Sequence, residues 1–153
     1  MATTTNAAGN YFEQAALEHL FGITSWFAPS TVDIALHSGD PGEDGSAGSS
    51  NELDSINDPG YARITMDHGT AGSSPDRSWT SVADGTGWAL TPVDSLVFTA
   101  TGNWTNAPLW VGAWDSSNLL FRIAIDDGNA VFTPLTNGQS LTLTSANLKF
   151  KLS

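Results

Sequence analysis

Residues 32–66 read VDIALHS (32–38), GDPGEDGSAGSSNELDSINDPG (39–60) and YARITM (61–66). Apolar and polar residues alternate in the first and third pieces, which is the period of a β-strand. The middle piece holds six acids, five glycines and no base. The stretch therefore predicts two strands joined by a long acidic loop. Loops of this length in compact domains are usually functional or disordered, and we expect this one either to contact another chain or to be solvated.

Short runs of the same kind follow along the rest of the chain. Further strands are predicted at residues 79–82, 88–90, 96–100, 109–114, 119–125, 131–133, 141–144 and 148–152. Turns are predicted at residues 115–118 and 126–129 and at the Asn137-Gly138 dipeptide, because these residue types favour hairpin connections. Many short strands with turns between them predict a mainly β fold, an antiparallel β-sandwich of which a jelly roll is one form.

One N-terminal α-helix is predicted at residues 10–21. Asn10 followed by Glu13 fits a capping box, and Gly22 stands where a left-handed C-terminal cap is expected. Six apolar residues share one side of this helix: Phe12, Ala15, Ala16, Leu17, Leu20 and Phe21. A helix of this length is marginal alone, so we expect it to pack on the β core. Residues 1–9 are predicted to be an arm held by a neighbouring chain, and residues 10–153 a single domain.

Composition narrows the possible functions. The 153 residues contain no cysteine, and the formal charge is −11. Residues 1–62 hold nine acids and neither lysine nor arginine, whereas residues 63–153 hold seven acids and five bases. Such a surface repels phosphate, which argues against nucleic acid as a partner and favours a basic one. No apolar run reaches the ~18 residues of a membrane span, and residues 1–10 do not resemble a signal peptide, so we expect assembly in the cytoplasm.

The acids and histidines suggest metal binding or hydrolysis, but they do not form the motifs that these chemistries use. Asp40, Glu43 and Asp44 supply oxygen ligands for calcium but lack the EF-hand spacing. A glycosidase would need two carboxylates in a defined pocket, and no Gly-x-Ser-x-Gly motif supports a catalytic serine. His37 and His68 flank the acidic loop and could approach each other around a metal. We expect no enzymatic activity and no cofactor.

Six tryptophans raise the alternative of carbohydrate binding. Aromatic faces pack on sugar rings, but they also fill protein cores. Trp104, Trp110 and Trp114 lie in or beside apolar strands, which favours the core.

Several segments occur in an order that resembles a known family. They are NYFEQAALEHLFG (10–22), VDIALHS (32–38), GDPGEDG (39–45), GYARITM (60–66), VFTATGNW (97–104), LWVGAWD (109–115), DSSNLLF (115–121), NGQSLTL (137–143) and LKFKL (148–152). This order, spanning residues 10–152, resembles a family of small tailed-phage virion proteins described as tail-fibre or capsid decoration proteins. The strongest pieces are the Asp-Pro loop leading to Gly-Tyr-Ala-Arg and the segment from Asn-Trp to Trp-Val-Gly-Ala-Trp-Asp.

The resemblance implies a non-enzymatic structural protein of the virion. Because the chain has neither the length nor the repeats of a fibre shaft, we expect a capsid decoration (cement) protein that stabilises the shell. The alternative is a tail-fibre or baseplate module that binds a host-surface glycan. The expected partners are the major capsid protein or other virion subunits, with the chain forming a homo-oligomer such as a trimer and binding neither nucleic acid nor membrane. The expected contact residues are Thr3, Thr5, Trp26, Phe27, Asp40, Glu43 and Asp44.

Overall fold

A computed structural model describes residues 6–25, 29–67, 79–85, 87–125, 132–144 and 146–151. Nine strands and two helices lie in these ranges. The strands are β1 (Asn6–Ala8), β2 (Thr31–His37), β3 (Ile64–Asp67), β4 (Trp79–Asp84), β5 (Gly87–Pro92), β6 (Leu96–Thr99), β7 (Trp110–Asp115), β8 (Asn118–Ala124) and β9 (Ser140–Leu143). The helices are α1 (Asn10–Leu20) and α2 (Gly48–Asn51), and neither is long and apolar enough to cross a membrane.

Five strands form one antiparallel sheet in the order β1-β8-β7-β2-β3. Two smaller antiparallel pairs, β4–β5 and β6–β9, complete the strands. The hairpin between β7 and β8 turns at Ser116 and Ser117, as the sequence predicts, and Ser116 adopts a positive φ. The predicted mainly β, antiparallel class is confirmed, and the open sheets are consistent with a β-sandwich.

The main core lies on one face of the five-stranded sheet. Val32, Ile34 and Leu36 alternate into it from β2, as the period of two predicts. Phe98 and Leu143 enter from the β6–β9 pair. Each fully buried side chain of this size stabilises the fold by roughly 1.5–3 kcal/mol. The opposite face of the same sheet, hereafter the outer face, carries the other residues of β2 and β7.

Helix α1 packs on the sheet through Phe12. The Phe12 ring packs against that of Phe121 on β8, with the ring centroids 4.8 Å apart and the ring planes tilted by 44°. The predicted capping box is wrong, because Gly9 is the N-cap residue and no side chain caps the helix. A Cβ on Gly9 would lie 2.2 Å from the Leu119 carbonyl oxygen, so only glycine fits where the chain crosses β8. Gly22 adopts φ +68° and ends the helix, as predicted.

The two C-terminal strand predictions differ from the structure. Phe132 and Thr133 are not in a strand, and Pro134 beside them has no N–H for a ladder. Leu148 and Phe150 are buried as their alternation predicts, but the segment makes only an isolated bridge between Phe150 and Leu90. Residues 126–131 and 152 lie outside the described residues, and with them the whole of the predicted turn at 126–129.

Residues 6–9 of the predicted arm lie on the chain's own sheet. Strand β1 pairs with β8, with Ala7 opposite Arg122, and the Gly9 N–H donates to the Leu120 carbonyl. Residues 1–5 lie outside the described residues.

A buried carboxylate joins the end of the acidic loop to the segment before β7. Asp58 is fully buried and accepts hydrogen bonds from the backbone N–H groups of Thr105 and Asn106 and from the Asn106 amide, at 2.9–3.0 Å. The Trp104 indole donates to the Pro59 carbonyl at 3.0 Å. The two strongest pieces of the sequence resemblance therefore touch each other in the fold.

Replacing Asp58 by alanine is expected to destabilise the protein by about 2 kcal/mol, because it removes a buried carboxylate that accepts three part-buried hydrogen bonds. Asp54→Ala is a matched control. Asp54 also accepts three hydrogen bonds, from the backbone N–H groups of Ile56 and Asn57 and from the Asn57 amide, but it lies in an exposed turn where water can replace it. Urea unfolding of both variants measures the difference. Equal losses would contradict the role assigned to Asp58.

Candidate functional site

The acidic segment, residues 39–60, folds back onto the outer face of the five-stranded sheet. Two backbone hydrogen bonds fix its path beside β2: the Ser38 N–H donates to the Asn51 carbonyl at 2.7 Å, and the Leu53 N–H donates to the Leu36 carbonyl at 3.0 Å. Short turns inside the segment are closed by its own carboxylates, as where Asp44 accepts from the Ser46 N–H. The segment therefore packs against the sheet and covers side chains of the outer face.

His37, the last residue of β2, lies beneath the acidic segment and is fully buried. Its Nε2 accepts a hydrogen bond from the Trp114 indole N–H at 3.2 Å. Its Nδ1 lies 3.1 Å from the Asn51 side-chain oxygen, to which it donates in the neutral tautomer. Burial lowers the pKa of His37, against the opposing charge of Glu52. Both ring nitrogens are thus used in the neutral form, which makes His37 a structural link between sheet and segment.

Two glycines allow this close packing. A Cβ on Gly112 would lie 2.4 Å from the Trp114 indole nitrogen and 2.8 Å from the His37 Nε2. A Cβ on Gly48 would lie 2.4 Å from the Trp114 ring. Since side chains do not approach so closely, the indole fits between sheet and segment only because both positions lack one.

Glu52 and Arg63 form the second link. The guanidinium donates to both carboxylate oxygens of Glu52, at 2.6 and 2.7 Å, and lies over the Trp114 ring, 5.3 Å from its centroid. Tyr61 donates to Glu52 at 3.0 Å and accepts from the Leu36 N–H at 3.1 Å. Burial raises the pKa of Glu52, but the hydrogen bonds and charge of Arg63 outweigh it and leave that pKa lowered. Burial, reinforced by the Glu52 charge, raises the pKa of Tyr61.

Arg122 forms the third link. It projects from β8, is buried, and pairs with Asp40 and with Glu43, the latter at 3.2 Å. Its guanidinium lies over Trp110, 5.6 Å from the ring centroid. The three links hold the acidic segment near its beginning, at Asp40 and Glu43, and in its middle, at Asn51 and Glu52. Asp58 holds its end.

The cluster is arranged to bind together parts of the chain. Within the described residues, no group of three or more histidines, aspartates or glutamates is placed to hold a metal ion. The carboxylates of Asp40, Glu43 and Glu52 face arginines. Ion pairing and hydrogen bonding therefore account for these side chains.

The family model described as "Podophage GP4 fiber I protein gp80" matches residues 7–150. The chain belongs to this fibre protein family. Among curated proteins, none matches the chain significantly. Membership confirms the predicted tailed-phage virion structural family and its location in the virion. The family's description also fits the predicted tail-fibre alternative better than capsid decoration, which no finding supports.

The structure places the seven expected contact residues of this fibre family member unevenly. Asp40 and Glu43 lie together at Arg122, and Asp44 lies in an exposed turn. Thr3, Thr5, Trp26 and Phe27 lie outside the described residues, as does His68. Contact between any of the seven and a partner stays a prediction.

Sequence reasoning missed the residues that hold the segment. The sequence pattern indicated His37 only as a metal ligand, and it did not indicate Arg63 and Arg122 as partners for the acids. One signal was present, because the acid-rich half has no base of its own and these are two of only five in the chain.

Acid should weaken the fold through His37. Above its ordinary pKa of about 6.5 the ring is neutral in both states and contributes nothing to pH dependence. Below that value the unfolded chain takes up a proton that the folded chain resists, so the free energy of unfolding falls, by up to about 1.4 kcal/mol per pH unit, until the lowered folded pKa is reached. Urea unfolding between pH 7.5 and 5 should show this loss, and His37→Gln should show less of it. An unchanged slope in the variant would contradict the assignment.

Removing the two arginines should have unequal effects. Arg63→Met leaves the half-buried Glu52 without its partner and should cost about 2 kcal/mol, less than the 3–5 of a fully buried pair because some water reaches the site. Arg122→Met leaves Asp40 and Glu43, both of which are exposed and can be hydrated, so its cost should be smaller. Thermal unfolding of the two matched variants tests this order, and the reverse order would contradict it.

Proposed function

We propose that this protein is a globular module of a podophage tail fibre, with a structural role. The observation that carries the proposal is the family match, which covers residues 7–150. The expectation of a cement protein rested on the absence of shaft length and repeats. A compact domain can belong to a fibre as well as to a shell, so compactness does not decide between them, whereas the family description names a fibre protein.

The architecture supports a mechanical role. Three polar links, from His37 to Asn51, from Arg63 to Glu52 and from Arg122 to Asp40, hold the long acidic segment on the sheet, and the buried Asp58 holds its end. The segment is thus built as part of the rigid body, and we propose that the module transmits or withstands force through this body. Its partners are other virion components, and we keep the predicted homotrimer as the proposed assembly.

Location and copy number on the particle test the tail assignment directly. Immunogold labelling of intact virions should place this protein at the tail, and quantitative mass spectrometry should give a handful of copies for each particle. A known tail protein and the major capsid protein serve as the two reference points. Labelling over the whole shell, with copies in the hundreds, would establish decoration and overturn the proposal.

A second candidate function is contact with a host-surface glycan. Trp104 and Trp114 are buried and cannot offer a ring face to a sugar. Trp88 of β5 is 70% exposed, and it stands opposite the small Ala83 on β4. An accessible aromatic ring flanked by a small residue is the kind of surface on which a pyranose packs.

A glycan array probed with the wild-type protein should then give signals that fall at least tenfold in Trp88→Ala, about 1.4 kcal/mol of binding. Ile56→Ala is the matched control, since Ile56 is 89% exposed and lies in the acidic segment, away from β5. Glycan signals that persist in Trp88→Ala, or no signal for the wild type, would remove this candidate.

A further inference from the structure

The second half of helix α1 and the turn after it leave a large apolar surface in water. Leu17 is 56% exposed, Leu20 76%, Phe21 77% and Ile23 71%. Leu17, Phe21 and Ile23 line a groove of about 350 Å³ along the helix. Isolated apolar residues are common on surfaces, but four large ones within seven positions form a patch of the kind that marks an interaction site.

The groove is held in shape by its own hydrogen bonds. The N–H groups of Gly22 and Ile23 donate to the His19 and Glu18 carbonyls, at 3.2 and 2.8 Å, in the pattern of a Schellman motif. This turn brings Ile23 back beside Leu17, where both line the groove. The apolar surface is therefore presented in a fixed shape.

Glu18 strengthens this arrangement from the side. Its two carboxylate oxygens accept from the Gln14 amide and the Thr24 hydroxyl, both at 2.7 Å. The hydrogen bond from Gln14, with that from Thr24, lowers the pKa of Glu18. One carboxylate thus ties the helix at Gln14 to the chain after the turn at Thr24.

The charge around the groove indicates what can cover it. Glu13 and Glu18 line it together with the apolar residues, and none of the described residues that line it is a lysine or arginine. A symmetric contact between two or three copies of the groove would bring these carboxylates together without a compensating charge. Anionic lipid and nucleic acid would be repelled for the same reason. A protein segment that carries both apolar and basic residues fits the groove. Its apolar residues would contact Leu17, Phe21 and Ile23, and its basic residues would pair with the carboxylates of Glu13 and Glu18.

We propose that the groove of α1, formed by Leu17, Phe21 and Ile23 between Glu13 and Glu18, docks a basic amphipathic segment of another virion protein. That the partner belongs to the particle rests on the proposed function. The groove supplies apolar contact, and the acidic edges select the charge and orientation of the segment.

Photo-cross-linking on the assembled particle identifies the occupant. A photo-reactive amino acid is placed at Leu20, beside the groove, in the full-length protein, and at Ile56 as a matched exposed control. Irradiated virions are digested and the cross-linked peptides are sequenced. We expect a cross-link from position 20, absent from position 56, to a lysine- or arginine-bearing apolar segment of a different virion protein.

Each other outcome overturns the proposal. A cross-link to a second copy of this chain would make the groove a self-interface, one to residues 26–28 of the same chain would make it internal, and no cross-link would leave it open in the particle. A cross-link to an acidic or uncharged segment would refute the charge argument. Particle location is measured separately, so a shell position would overturn the tail assignment while leaving this result intact.

Purified components give a second readout. An amphipathic helical peptide of leucine and lysine should bind the full chain, and its leucine–glutamate counterpart should not. Leu17→Gln should weaken binding at least tenfold and Glu13→Gln should reduce its salt dependence, with Ile56→Gln as the control. Equal binding of the two peptides would contradict selection by the acidic edges.

Discussion

The fold depends on ion pairs between acids in the first part of the chain and arginines that come later in it. Residues 1–62 contain nine acids and no base. Arg63 and Arg122 supply the bases from positions later in the chain, beside β3 and on β8, and both face the outer side of the sheet. Pairing a carboxylate in the acidic segment with an arginine held at the sheet favours one path of that segment. The ion pairs, with the His37–Asn51 hydrogen bond, make a stretch with the composition of a loop part of a rigid body.

The sequence predicted the parts of this fold that repeat with a short period. Alternation in β2 and the turn at Ser116 both reflect local preferences, and the structure confirms them. The predictions that were wrong concern the helix cap and the strands at residues 131–133 and 148–152. Gly9 replaces Asn10 as the helix cap because the backbone passes too close to Leu119 for a side chain.

The candidate site was harder to predict than the fold. Neither Glu52 with Arg63 nor Asp40 with Arg122 has a fixed spacing in the chain, since the pairs are separated by 11 and 82 residues. The pairing of β2 with β3 brings the first pair together, and the order β8-β7-β2 brings the second together. The charge tally could have indicated that the acids need partners, but without the sheet order it could not have named them. Family resemblance, by contrast, depends on the order of short segments, and that signal survives without any three-dimensional information.

The mechanical role that we propose depends on this rigidity. With the acidic segment held on the outer face, the described residues that remain available for contact include apolar ones on α1 and β5. The fibre module that we propose would combine this fixed body with two separate surfaces: the apolar groove of α1, lined by Glu13 and Glu18, and the exposed Trp88 indole on β5. The rigid body would hold the two surfaces in place, and each surface would be free to bind a specific partner.

Native-state hydrogen exchange tests most directly whether the acidic segment is part of the rigid body. The Ser38 and Leu53 amides bond across the junction between β2 and the segment, whereas the Ile56 amide lies in an exposed turn. At neutral pH, Ser38 and Leu53 should exchange as slowly as the amides that pair β2 with β7, and Ile56 much faster. Exchange of Ser38 and Leu53 at the rate of Ile56 would show that the segment is not held on the sheet, and would contradict its place in the rigid body.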